Sequence, residues 1–423
     1  MEKDLGLNNI KKIWLAGIYY IPAVLLYVVN MFIPALRPGV IATVFMLCVA
    51  AELVIRRQLG FTAFIDRLVA AYFIYNALSV IWLLRSGMPF SVYAGEFVVS
   101  LLPVIFYYSG RSSRSQAFYM NFLIAVLITG ILGIILQTAM PQFYIDYSYK
   151  IGFASKADAA TCRVRMDSVV GSTVLGFLSV AGMLVSIPLI MSSNTEYTGT
   201  FPKASVFKSS GPLRLFGIAS MFINMIVVFM CNQRSAMVVA ILVIVYLNFL
   251  LFKAYDDRMR KRRAFLIEIA ALAAGFILFS VIKQDAALKA YYRLVSLPGA
   301  IGQRSEQWVA AVNNMYSTWL GNGLGANGHR AIGIEDAFVV ADGGIIKTYC
   351  EQGVFGFSMF IYILILTFKK GSRDIMKYCA EVGIIAAALL QSIGSNILSF
   401  QLSVPVFWFA IGRIHSQDME EES

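Results

Sequence analysis

VVFMCNQRSAMVVAILVIVYL, residues 227–247, has the length and apolarity of one membrane-crossing helix, yet it carries Asn232, Gln233 and Arg234 in its interior. A helix that spans the hydrocarbon core needs about 20 mostly apolar residues, and an arginine at its centre costs roughly 2.5–3.5 kcal/mol on insertion scales. The polar trio therefore reads as a break. Two spans meet there through a connection of about four residues, too short to carry Arg234 far from the bilayer surface.

The rest of the chain supports this reading. Its 423 residues are 59% hydrophobic and 14% charged, with mean hydropathy +0.72, against a charged share of about one quarter in soluble domains. Long apolar runs recur from end to end without low-complexity linkers, so the chain reads as an all-α, polytopic integral membrane protein. Residues 1–423 form a single membrane domain of about twelve transmembrane helices. With polar breaks as boundaries, the expected spans are 14–33, 39–55, 67–84, 92–108, 117–139, 169–191, 215–231, 236–252, 264–282, 345–368, 375–395 and 400–413. The first follows MEKDLGLNNIKK, is too long for a signal-peptide core and has no small-residue cleavage site behind it, so it is read as retained.

With the N-terminus inside, 22 of the 35 Lys and Arg residues fall on the cytoplasmic side and 13 outside, as the positive-inside rule asks. The run RMRKRR after Asp257 is then a topology anchor near anionic lipid rather than a nucleic-acid site. Two outer segments are too long to be turns: residues 140–168, and residues 283–344 between helices 9 and 10. The five cysteines are scattered without metal or redox spacing, and two histidines leave little material for zinc. No metal or cofactor is expected.

Six of the outer basic residues are arginines at span mouths or in the long loops: Arg163, Arg165, Arg234, Arg293, Arg304 and Arg330. Snorkelling to head groups accounts for any one of them. Arg234 is harder to explain that way, and its planar fork suits bidentate phosphate binding. The loop segment GQRSEQWVAAVNNMYSTWLGNGLGANGHR reads as an amphipathic helix with Trp308, Ala311, Val312, Met315 and Trp319 on one stripe. Such a helix lies on the outer membrane surface or packs over the span mouths, and both place Arg304 near head-group level. GLGANG, residues 323–328, satisfies GxGxxG formally but follows no hydrophobic strand. Its glycines are read as ending the helix and turning the chain, with backbone amides available to an anion. His329, Glu335, Asp336 and Asp342 follow. Acids and histidines in a wet loop are usually just solvated; Asp342, pinned at a span mouth, is the best placed for chemistry.

Three stretches together resemble the O-antigen polymerase and ligase superfamily. RVRMDSVVGSTVLGF is similar to its arginine-led segment before a middle span, and CNQRSAMVV to its short hairpin. RSEQWVAAVNNMYSTWLGNGLGANG…ADGGIIKTYCEQGVFGF is similar to its R-x(3)-W…G-x-G…[HD]-[NG]-x(8)-E-x-G-x-x-G pattern, supplying Arg304, Trp308, Gly323, Gly325, Asp342, Glu351, Gly353 and Gly356, with seven residues rather than eight between Gly343 and Glu351. The likeness covers residues 160–360; the first five spans match only in hydropathy. The ligase branch usually carries His where this chain has Asp342, and that departure favours a polymerase, although His329 lies close by.

The resemblance implies a bacterial inner-membrane glycosyltransferase with its active site facing the periplasm. It would move an undecaprenyl-pyrophosphate-linked glycan to the terminal sugar of another lipid-linked repeat unit in making lipopolysaccharide, capsule or exopolysaccharide. Partners would be the lipid-linked donor and acceptor, membrane lipid and a chain-length regulator protein, with no nucleic acid. Arg165, Arg234 and Arg304 would clamp the pyrophosphate, with Arg163, Arg293, Arg330 and Trp308 in the same substrate site. Asp342 would be the base and His329 its alternative, the reaction being metal-independent and inverting. Rival readings are an O-antigen ligase acting on lipid A core, a flippase for lipid-linked oligosaccharide, and a structural protein of a polysaccharide machine. A flippase calls for ionisable residues at mid-membrane, whereas Glu52, Glu96, Glu268 and Glu381 read as lying toward span ends.

Overall fold

The computed structural model describes residues 14–33, 36–112, 115–150, 165–191, 210–254, 292 and 297–416. The expected ninth span (264–282) and parts of both long loops lie outside these residues. Every described regular element is helical.

After a short turn at Leu15–Ile18, α1 is Tyr20–Phe32, α2 Pro38–Ile55, α3 Phe64–Arg85, α4 Phe90–Arg111, α5 Ser115–Ala139 and α6 Pro141–Lys150. Then come α7 Ser172–Met191, α8 Ser210–Cys231, α9 Arg234–Ala254, α10 Leu297–Asn313, α11 Gly344–Arg373, α12 Cys379–Ser392 and α13 Val404–Ile414. Eight described helices are long and apolar enough to cross a membrane. Exposed apolar stripes such as Ile124, Ile128, Ile131 and Ile135 on α5, or Leu242, Val245, Phe249 and Phe252 on α9, recur at helical spacing and face away from the core. In water such patches would be unstable, so their solvent is lipid.

Inside the bundle, α7 is buried along nearly its whole length and packs against α5, α8, α9 and α12. Helices α12 and α13, too short to span alone, are covered by protein instead. Close approach explains how α13 fits: a Cβ at Gly412 would lie 2.0 Å from the Tyr107 carbonyl oxygen, and one at Gly110 2.3 Å from that of Phe409. Glycine at both positions lets two backbones touch, the usual device of membrane helix pairs. At the far end of the bundle from the site, buried Asp66 caps its own helix through the Ala63 N–H, accepts Tyr107 Oη at 2.6 Å and pairs with Arg111 at 3.0 Å.

The feature that most shapes the site is a break in α11. Gly353 has φ 61° and ψ −172° inside the helix, a conformation essentially restricted to glycine. Its Cβ position lies 2.4 Å from the Gly321 nitrogen and the Trp319 carbonyl oxygen. Backbone groups freed at a break inside a membrane protein must be satisfied by protein, and segment 318–323 does this. The N–H groups of Val354 and Phe355 donate to the carbonyls of Thr318 and Trp319, while those of Asn322 and Gly323 donate to Cys350 and Glu351. Tyr75 Oη donates to the Gln352 carbonyl at 2.8 Å.

The loop helix is shorter than its apolar stripe suggested. It ends at Asn313, where Asn322 Oδ1 takes the Tyr316 N–H at 2.6 Å and turns the chain, so Met315 and Trp319 lie beyond it. Trp308, Ala311 and Val312 pack with Val340, Ile346 and Cys350, which seats the helix over the mouth of α11.

Candidate functional site

The polar trio of residues 232–234 does break the apolar run. Asn232 adopts φ 51°, a left-handed conformation that asparagine tolerates, and the chain reverses within Asn232 and Gln233. Arg234 is thus the first residue of α9, at one end of the bundle. The segment before α7 runs alongside: the Met166 N–H donates to the Met230 carbonyl at 2.9 Å, the Asp167 N–H to Tyr144 Oη at 2.6 Å and Ser168 Oγ to the Thr129 carbonyl at 2.7 Å. Asp167 Oδ1 accepts the Ser172 N–H at 3.0 Å, capping α7. Burial pushes the Asp167 carboxyl above its ordinary value, while Ser172 and Arg165 pull it back down. Arg165 is therefore placed beside the hairpin, next to a buried acid.

Helix α10 brings the third arginine. Arg304 and Trp308, one turn apart on one face, both hold Asp342: Arg304 Nη2 donates to Oδ2 at 2.7 Å and Trp308 Nε1 to the backbone carbonyl at 2.6 Å. Asp342 remains 44% exposed and Arg304 25%, so the pair is open to a ligand. The link to the hairpin runs through the turn after α12. A Cβ at Gly394 would lie 3.4 Å from Arg304 Nη1 and 3.8 Å from Ser235 Cβ. The same turn holds the α11 mouth, because Asn396 Nδ2 donates to the carbonyls of Val340 and Ala341 and the Gly344 N–H donates to Ser395. Residues 391–396 thus join pieces of the site that are far apart in the chain. Sequence reasoning placed most of them in a span and missed their role, because Gln, Ser and Gly are ordinary residues in membrane helices.

A second cluster adjoins the first. Lys347 Nζ donates to Glu96 Oε1 at 2.7 Å and to Ser399 Oγ at 2.8 Å, and pairs with Glu351 Oε2 at 3.2 Å. All three charged side chains are buried. Ser100 Oγ also donates to Glu96. Glu96 lies toward the start of α4, as expected, but as a buried ion-pair partner. A cavity of about 40 Å³ borders Lys347 and Glu351, room for water but not for a sugar ring. GLGANG does not end the helix, which stops earlier at Asn313. Its residues are buried between span mouths, and a Cβ at Gly325 would lie 3.0 Å from Glu96 Cβ. The anion met by its backbone is internal: the Asn327 N–H donates to Glu351 Oε1 at 3.3 Å.

Removing one member of a buried ionic group leaves the others uncompensated. Lys347→Met is therefore expected to cost about 3–5 kcal/mol of stability, and adding Glu96→Gln and Glu351→Gln to recover much of it. Thermal unfolding of the purified variants in detergent checks both. An unchanged midpoint in Lys347→Met would mean the ionic group does not hold the mouths of α4 and α11 together.

The predicted site residues divide accordingly. Asp342, Arg304 and Trp308 are in direct contact, and Gly394 connects them to the Arg234–Ser235 corner, with Arg165 alongside. Arg330 lies over Gly95, its Nε 3.9 Å from Glu96 Oε2, at the edge of the buried cluster. His329 stands between the clusters. Although the residue stays exposed at the surface, the partial desolvation of its ring, and next Lys347, hold its imidazole below the ordinary value of 6.5, with Asp342 and Glu96 opposing. Its neutral form is favoured in the folded state, so unfolding takes up a proton. The stability contribution is present above about pH 6.5 and lost on acidification toward the folded value. Wild type is expected to lose thermal stability over that window and His329→Gln to lose less; identical pH profiles would contradict the assignment. Arg163 and Arg293 lie outside the described residues. Among the described residues no group of three His, Cys, Asp or Glu side chains is arranged to hold a metal ion. No protein-family model matches the chain, and no curated protein matches it.

Proposed function

We propose that the chain is a polysaccharide repeat-unit polymerase of a bacterial inner membrane, with about twelve spans, both ends cytoplasmic and the arginine-rich end facing outward. The observation that carries this reading is the Arg304–Asp342 pair at one end of an apolar bundle, joined through Gly394 to Ser235 next to Arg234, with Arg165 on the segment that runs beside the same hairpin. The three arginines and Asp342 come from four separate parts of the chain. Arg304 stays partly exposed beside Asp342, so a guanidinium at this end of the bundle is open to an anionic ligand.

The donor is a glycan on undecaprenyl pyrophosphate. As its anomeric C–O bond breaks, negative charge grows on the departing pyrophosphate, and guanidinium groups held ready there stabilise the transition state more than the ground state. The acceptor hydroxyl of a second lipid-linked repeat unit attacks the anomeric carbon and gives its proton to Asp342, with His329 as the alternative base. The products are a lengthened glycan on one lipid and a free lipid pyrophosphate. Direct displacement inverts the anomeric centre, which NMR comparison of donor and polymer linkages tests. The scheme draws its countercharge from arginine and calls for no metal or nucleotide.

Arg234→Lys keeps the charge but loses the bidentate fork. It is expected to lower transfer between lipid-linked repeat units by about tenfold to a hundredfold at normal protein level. Full activity in Arg234→Ala would remove this residue from the clamp.

A further inference from the structure

The end of α12 carries buried polar side chains with nothing to bond. Gln391 is fully buried, and neither its amide nitrogen nor its amide oxygen has a hydrogen-bond partner among the described residues; the same holds for the hydroxyl of buried Ser392. Gln233 Oε1, Ser235 Oγ and Arg165 Nε, on the neighbouring segments, are also buried and unpartnered. Native proteins leave few such groups, and a cluster of them points to a water or ligand that belongs there.

The helix register places them together. Tyr246 Oη donates to the Cys379 carbonyl at 3.0 Å, whereas Gly394 sits beside Ser235, so α12 runs antiparallel to α9. About three turns toward the site from the Tyr246 contact, Gln391 comes level with Arg234 and Ser235. From the packing of Gly383 on Leu184 in α7, about two turns in the same direction bring Gln391 level with Gly176. A Cβ at Gly176 would in turn lie 3.7 Å from Gln233 Oε1. Ser392 faces the mouth of α11, its Cβ 3.3 Å from the Cβ position of Gly344.

We infer that Gln391 and Ser392 bind the phosphoryl oxygens of a lipid-linked pyrophosphate as uncharged donors, completing the site formed by the arginines. This rests on the proposed function. The unmet donors suit a phosphoryl group, and the unmet amide oxygens suit hydroxyl groups on the sugar next to it. Neutral donors at this depth complete the ligand's hydrogen bonds without placing another full charge below the guanidinium groups.

The test is binding of farnesyl pyrophosphate and of inorganic pyrophosphate to the purified full chain in detergent, followed by calorimetry and by the thermal-unfolding midpoint. Wild type is expected to bind farnesyl pyrophosphate more tightly; equal affinity for the two probes would overturn the lipid-linked assignment. Gln391→Leu removes buried groups that are unbonded without ligand, so its ligand-free midpoint is expected to hold or rise. Its affinity for farnesyl pyrophosphate is expected to fall about tenfold to a hundredfold. Ser392→Ala, a smaller change, is expected to weaken binding about threefold to tenfold. Wild-type affinity in both variants, with binding lost in Arg304→Ala, overturns this inference and leaves the proposed function standing. No binding of either probe by wild type overturns both.

Discussion

Asp342→Asn is expected to slow transfer by about 10²–10⁴-fold, the usual share of a general base, without weakening donor binding. The structure makes this split specific. Asp342 shares a 2.7 Å hydrogen bond with Arg304 while its backbone carbonyl is held by Trp308. Asparagine keeps the shape and the carbonyl contact but loses the negative charge that competes with phosphate for the guanidinium. Turnover should therefore collapse while affinity for the lipid-pyrophosphate donor holds or improves. Arg304→Ala should lose both, since the clamp itself is cut. Steady-state kinetics with donor concentration varied separates the two. Unchanged turnover in Asp342→Asn would move the base to His329 or to no residue. Weakened donor binding in that variant would mean that the carboxylate serves mainly to position Arg304.

Gly353→Ala is expected to be the most damaging single change to the fold, costing more than about 4 kcal/mol. Two independent effects add at this site. An L-residue strongly resists φ 61° with ψ −172°, and the new methyl would stand 2.4 Å from two backbone atoms of segment 319–321. Relieving either would separate α11 from the loop that satisfies its broken backbone, leaving polar groups unpaired inside the membrane domain. The variant should accumulate poorly and unfold at a markedly lower temperature in detergent. Gly302→Ala is the control, because Gly302 lies in exposed helix α10 with nothing near its Cβ position, where alanine is expected to gain about 0.5–1 kcal/mol. A Gly353→Ala protein as stable as wild type would mean that α11 can run unbroken.

The helices were legible because membrane spans are written locally, as runs of apolar residues. Eight of the expected spans coincide with helices long enough to cross a membrane, those at 14–33, 375–395 and 400–413 coincide with shorter helices, and the Asn232–Arg234 interruption marks a hairpin. The break in α11 was not legible in that way. EQGVFGF reads as continuous helix, and Gly353 becomes special only when Gly321 meets it from another part of the chain. The contact of Arg304 and Trp308 with Asp342 joins motifs that the sequence could order but not bring together. Two of the three charged members of the buried ionic group, Lys347 and Glu351, stand at i, i+4, a spacing too common on helices to single them out, whereas Glu96 enters from 251 residues away. Arg330, grouped from the sequence with the wider substrate site, lies over Gly95 with its Nε 3.9 Å from Glu96 Oε2, a neighbour that loop composition does not disclose.

The proposed polymerase would transfer glycans between lipid pyrophosphates at its arginine-lined mouth. The most direct measurement gives the purified protein a single lipid-pyrophosphate-linked repeat unit, without nucleotide or added metal, and resolves the products by mass. A ladder at integral repeats is expected, present in wild type and lost in Asp342→Asn. Authentic substrate that yields no ladder, or glycan transfer only after lipid A core is supplied, would contradict it.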